Sequence, residues 1–105
     1  MTNFNDRERA EEAKFAMDED TQFRVTARRN RLLGQWAAQQ MGLSDVEAEA
    51  YAKAVVQADF EDAGDEEEIR QLLASQTSAG LAVAERDIRG AMLSKMISAR
   101  RALMG

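Results

Sequence analysis

At 105 residues, with no cysteine, no histidine and no proline, the chain has room for a single core, and disulfides, thiolate metal sites and the commonest general base are all excluded. Without proline nothing forces a helix to break, and an apolar complement led by alanine, leucine and methionine suits helix packing and suits a β-sandwich poorly. The net charge of −5 is unevenly spread: residues 45–68 are acidic apart from Lys53, whereas the stretch from Arg70 onward is basic. Helices of opposite charge, the second and the fourth of the bundle, are therefore expected to pack together. No basic region followed by an apolar run opens the chain, and no stretch is apolar enough for a membrane span, so a cytoplasmic protein is expected.

Asn5 to about Met17 is alanine-rich and charge-dense, with Asp6 and Glu8 in the first turn, where a helix dipole favours acids. Phe4 and Phe15 are about three turns apart and would share a face, but Glu8 and Glu11 interrupt it. The segment is helix-prone yet too sparsely apolar to hold itself in a core, and is expected to fray when no partner is present.

The longest core helix is predicted from Thr21 to about Met41, stopped by Gly42, with Phe23, Ala27, Leu32, Leu33, Trp36, Ala37 and Met41 at helical spacing. Gly34 inside it points to close contact between helices. Ser44 and Glu47 form a capping box for the next helix, whose stripe is Ala48, Tyr51, Ala52, Val55, Val56, Phe60 and Ala63, with Gly64 ending it. Asp65 is expected to cap a third, shorter helix carrying Ile69, Leu72 and Leu73, with Glu68 in the reciprocal position. The run from Ser75 to Gly80 reads as a loop. The last helix is predicted from about Ala84 to Leu103, with Ile88, Ala91, Met92, Met96, Ala99 and Leu103 facing inward. Four helices with short connections make an all-α, four-helix bundle over residues 18–105, preceded by a mobile, helix-prone N-terminal arm over residues 1–17.

Chemistry is sparse. The stretch from Asp59 to Arg70 imitates a calcium loop, but Ala63 and Arg70 stand at its fifth and twelfth positions, and the twelfth needs a bidentate glutamate. The Arg28–Arg29–Asn30–Arg31 cluster reads as a solvated helix face with some pairing to acids. Nucleic acid is not expected as a partner, because no basic recognition helix follows and the acidic middle would repel phosphate. Trp36 and Tyr51 read as core aromatics. No phosphate loop, nucleophile elbow or metal-ligand spacing is present, and an enzyme is not expected.

Taken in order, Phe4–Ala10, Lys14–Phe15–Ala16, Arg28–Arg29–Asn30, Leu32–Leu33–Gly34, Trp36–Ala37–Ala38, Tyr51–Ala52–Lys53 and Ala58–Asp65 resemble the zeta subunit family, the ATPase-inhibitor subunit of alphaproteobacterial F1Fo-ATP synthases. The resemblance implies a globular four-helix domain whose arm enters the interface between the alpha and beta subunits of F1 and blocks hydrolysis-direction rotation near the gamma subunit. By position it carries the partner contacts to Phe4, Asp6, Arg7, Glu8, Lys14 and Phe15. It also implies weak ATP or ADP binding at an unlocated place, no required cofactor, a mostly monomeric free state without direct membrane insertion, and a peripheral place on the inner membrane through F1. The alternative is a helical adaptor or a small nucleotide-binding sensor. A mitochondrial counterpart is regulated through histidines; with none here, inhibition is expected to vary little between pH of about 6.5 and 8.

Overall fold

The computed structural model describes residues 19–61 and 64–104. The arm anticipated over residues 1–17, with Phe4, Asp6, Arg7, Glu8, Lys14 and Phe15, lies outside them, as does Ala63. The described residues form four α-helices: α1 (Glu19–Gln40), α2 (Asp45–Glu61), α3 (Asp65–Ser78) and α4 (Glu85–Met104). None of the described helices is long and apolar enough to cross a membrane.

The longest helix, α1, is the hub. Both α2 and α4 make their principal contacts with it, and α3 bridges more lightly to the other three. Two rows of α1 explain this. Val25, Arg29, Leu33 and Ala37 recur every four residues, as do Asn30, Gly34 and Ala38 one position on, and all are buried. Together the rows make an inward face broad enough to meet two neighbours. The core that results contains Leu33, Ala37, Val55, Ile69, Leu72, Ile88 and Met92, with Trp36, Met41, Tyr51 and Leu73 packed against it. Fully burying a side chain the size of Leu33 contributes roughly 1.5–3 kcal/mol. Gly34 permits the closest approach: a Cβ placed there would meet the Cα of Ala52 at 2.8 Å, so α1 and α2 touch almost backbone to backbone.

The helix ends follow from local chemistry. At the start of α2 the Ser44 hydroxyl accepts from the Glu47 amide at 3.3 Å, and the Glu47 carboxylate accepts from the Ser44 amide at 3.1 Å. This is the reciprocal capping predicted. Helices α1 and α3 close alike: Leu43 N–H donates to Ala38 and Gly42 N–H to Gln39, while Leu81 N–H donates to Gln76 and Gly80 N–H to Thr77. Both are Schellman closures, which require a left-handed residue; Gly42 and Gly80 supply it at φ 71° and 86°.

Several expectations fail. Helix α3 runs on through Ser75–Ser78, and only Ala79 and Gly80 form the turn, because Gln76 lies on the buried row of Glu68 and Leu72 and is carried inward with it. Asp65 does not cap α3. Gly64 holds that position without a side-chain bond, since the Asp65 carboxylate is engaged elsewhere. Phe23 and Leu103, expected inside, are 51% and 41% exposed. Phe23 lies near the start of α1 and Leu103 near the end of α4, away from the core around Leu33 and Ile88. Nor do α2 and α4 pack chiefly on each other: each seats on α1, and Arg89 of α4 pairs with α3 instead, gripping Glu66 at 2.7 and 2.9 Å.

Candidate functional site

Arg29 occupies a core position on α1, one turn after Val25 and one before Leu33, and is 3% exposed. A guanidinium so placed must be paired, since an isolated buried charge is far too costly. Its Nη2 donates to Asp65 Oδ1 at 2.8 Å, to Asn30 Oδ1 at 2.8 Å and to Glu68 Oε2 at 3.3 Å. Nη1 reaches Asp65 Oδ2 at 3.3 Å, and Nε donates to Asn30 Oδ1 at 3.0 Å. Asn30, 1% exposed, donates through Nδ2 to Asp59 Oδ2 at 2.8 Å. One guanidinium and one amide thus tie α1 to the last turns of α2 and the first turn of α3. The reading of these arginines as a solvated face is corrected at Arg29 by this burial. It holds better for Arg31, which pairs with Glu49 at 2.7 Å with both side chains partly exposed.

The sequence contained a usable signal for this cluster. Extending the row of Leu33 and Ala37 backward by four lands on Arg29, and extending the row of Leu72 backward by four lands on Glu68. Two charges on core rows of different helices call for each other.

Carboxylate oxygens of Asp59, Asp65 and Glu68 lie within 4.8 Å of one another. That spacing places acids of the imitation calcium loop together, with the Arg29 guanidinium as the cation of Asp65 and Glu68 and the Asn30 amide as the partner of Asp59. Glu68 is the least satisfied of the three. It is 5% exposed, receives the longest bond from an Nη2 shared among three acceptors, and its Oε1 is buried without a hydrogen-bond partner. Burial pushes its carboxyl up to about 7. Arg29 opposes that rise, and the neighbouring Asp59 and Asp65 charges add to it. A chain without histidine therefore still holds a group titrating near neutrality. Tyr51, across α2, is pushed above the usual phenol range chiefly by burial; a hydrogen bond with Ser75 works the other way and the Glu68 charge adds to the rise.

Two surface hollows flank the same seam. One, of about 380 Å³, is lined by Glu19, Phe23, Asn30, Val56 and Asp59 and lies towards the Glu19 end of α1. The other, of about 500 Å³, gathers Arg28, Arg31 and Lys53 over Ala27 and Val56. None of the six residues predicted to contact a partner falls among the described residues, so the geometry concerns the bundle that would carry them.

Four helices with a partly buried ion cluster among them and open hollows on their outer faces define a small protein that is all-helical over its described residues. Its family is shown by comparison: residues 1–102 match the profile described as ATPase inhibitor subunit zeta, and the chain belongs to that family. Three chains of solved structure match it. One, described as a solution NMR structure, is 41% identical and superposes with a TM-score of 0.69, covering 79% of this chain and 94% of its own. No curated protein matches.

Proposed function

We propose that the chain inhibits ATP hydrolysis by F1-ATPase, its N-terminal arm entering the catalytic interface between the alpha and beta subunits and blocking hydrolysis-direction rotation near gamma. The supporting observation is the family match, which begins at residue 1 and so takes in the arm together with the bundle. In this reading Phe4 and Phe15 bury against the partner, contributing roughly 1.5–3 kcal/mol each before ordering costs. Asp6, Arg7, Glu8 and Lys14 add charge-assisted hydrogen bonds in a partly desolvated cleft. The arm folds as it binds, and the bundle that follows it in the chain is its anchor. The protein then resides in the cytoplasm, on the inner membrane only through F1, and is mostly monomeric when free. Its role is regulatory rather than catalytic.

The test is ATP hydrolysis by purified F1 with either the full chain or the chain lacking residues 1–17. Dose-dependent inhibition by the first and none by the second is expected. Inhibition by neither, with bundle and F1 both intact, would overturn the proposal and favour an adaptor.

Weak ATP or ADP binding, the second reading, has its best seat in the hollow of Arg28, Arg31 and Lys53, where three cations surround an apolar floor. Titrating either nucleotide should shift the amide resonances of α1 and α2 around that hollow, and Lys53→Glu should abolish those shifts. Shifts that persist in the variant would remove the seat from consideration.

A further inference from the structure

The cluster is buried at Arg29, Asn30 and Glu68, half-buried at Asp59 and open to solvent at Asp65, and it holds more negative charge than its one cation balances. Three carboxylates from two helices, Asp59, Asp65 and Glu68, bring oxygens within 4.8 Å of one another, and the Arg29 guanidinium reaches two of them, Asp65 and Glu68. The two N–H groups of Arg29 Nη2 have three acceptors to serve. Asp59 has the Asn30 amide and Asp65 has both terminal guanidinium nitrogens, Nη1 and Nη2. Glu68 has a single 3.3 Å bond on one oxygen and none on the other. A carboxylic acid in its place would remove one charge and gain an O–H donor with carboxylate acceptors close by. Such pairs of carboxyl groups share protons readily, because like charges so close resist joint ionisation.

The surroundings offer no better compensation among the described residues. Facing the cluster from α2 are Asp59 and Tyr51, neither a cation at neutral pH. From α3 comes Asp65, and from α1 Arg29 itself. On α4, Arg89 lines a surface hollow with Arg29 and Asp65, but its guanidinium is committed to Glu66 and Glu85.

We propose that Arg29, Asn30, Asp59, Asp65 and Glu68 form a proton-operated clasp, in which a proton held on Glu68 seats the first turn of α3 against α1 and its loss loosens that seat. The sign follows from linkage. Glu68 binds its proton more tightly in the folded chain than in the unfolded one, so its contribution to stability is fully present below the unfolded value of about 4.5. That contribution declines as pH rises and is gone once pH has passed the folded value of about 7. Carboxylates held down by partners, such as Glu47 by Ser44 and Glu66 by Arg89, act with the opposite sign and only below the ordinary carboxylate range. The two windows separate. This clasp belongs to the bundle alone and stands whether or not the arm inhibits F1.

The experiment is a pH titration of the full chain between about pH 5 and 8.5. It follows glutamate side-chain carboxyl carbons by NMR, with urea unfolding at each pH, for the natural sequence and Glu68→Gln. One glutamate should titrate with a midpoint near 7 and vanish in the variant. The unfolding constant should rise about 25-fold between pH 5.5 and 8 in the natural chain, and by less than about twofold in the variant. Amide exchange at Ile69 and Leu72 should accelerate over the same range. A Glu68 midpoint below about 5.5, or parallel stability profiles for the two chains, would overturn the proposal. Should Glu68→Gln not fold, Asp59→Asn decides: removing the neighbouring charge must lower the Glu68 midpoint by about half a unit or more, and an unchanged midpoint overturns the clasp.

Discussion

The two halves of α1 solve the same packing problem with opposite materials. From Leu33 onward its inward rows are leucine, glycine and alanine, set against Ala52, Val55, Ile88 and Met92 of its neighbours. One turn earlier the same rows present Arg29 and Asn30, and the neighbours answer with Asp59, Asp65 and Glu68. The apolar half asks for volume and shape. The polar half asks for particular atoms at particular distances, since at its centre Arg29, Asn30 and Glu68 are buried and an unmet hydrogen bond there has no water to fall back on. The apolar half thus supplies cohesion, and the polar half fixes which turn of α3 meets which turn of α1.

The largest test breaks the polar half. At about pH 8, where Glu68 is ionised, Arg29→Met should destabilise the bundle by about 3–5 kcal/mol, because Glu68 is left buried beside like charges. Adding Glu68→Leu should recover much of the loss, as replacing both members of a buried pair by apolar groups often does. Thermal unfolding by circular dichroism measures both, and no recovery in the double variant would mean that the pairing does not account for the loss.

A smaller effect probes the apolar half at its tightest point. Gly34→Ala gains about 1 kcal/mol of helix propensity but drives a Cβ to 2.8 Å from the Ala52 Cα. Overpacking of this kind costs about 1–3 kcal/mol, so net destabilisation is expected in urea unfolding. Since the clash is with backbone, Ala52→Gly should not rescue it. The smallest effect lies outside both halves: Ser44→Ala removes the α2 cap and should lower stability by about 1 kcal/mol, read from the urea midpoint.

This contrast also explains what the sequence disclosed. Periodicity located all four helices, and the Ser44 cap and the Gly42 stop were legible because their partners lie within a few residues. Leu33, Ala37, Ile88 and Met92 were legible as core from spacing alone. Arg29 and Glu68 were not, because charge argued for the surface while position argued for the interior, and only a partner distant in sequence decides between them. The same long-range bond removed Asp65 from the capping role its local context favoured. The Ser75–Ser78 run was misread for a related reason: four polar residues resemble a loop until Gln76 is placed on the buried row below Leu72. Phe23 was misplaced because helical spacing says which face a residue occupies and not how deeply that face is covered at a given turn.

The central position of α1 has a mechanical meaning. Its 22 residues span about 33 Å, and both α2 and α4 grip it along its length. A force applied at Glu19 along the helix axis would load those contacts in shear, many at once, instead of peeling them apart one after another. A tether fixed to this end of the bundle is therefore held by the whole core, and the backbone contact at Gly34 acts as a detent against slippage of α1 past α2.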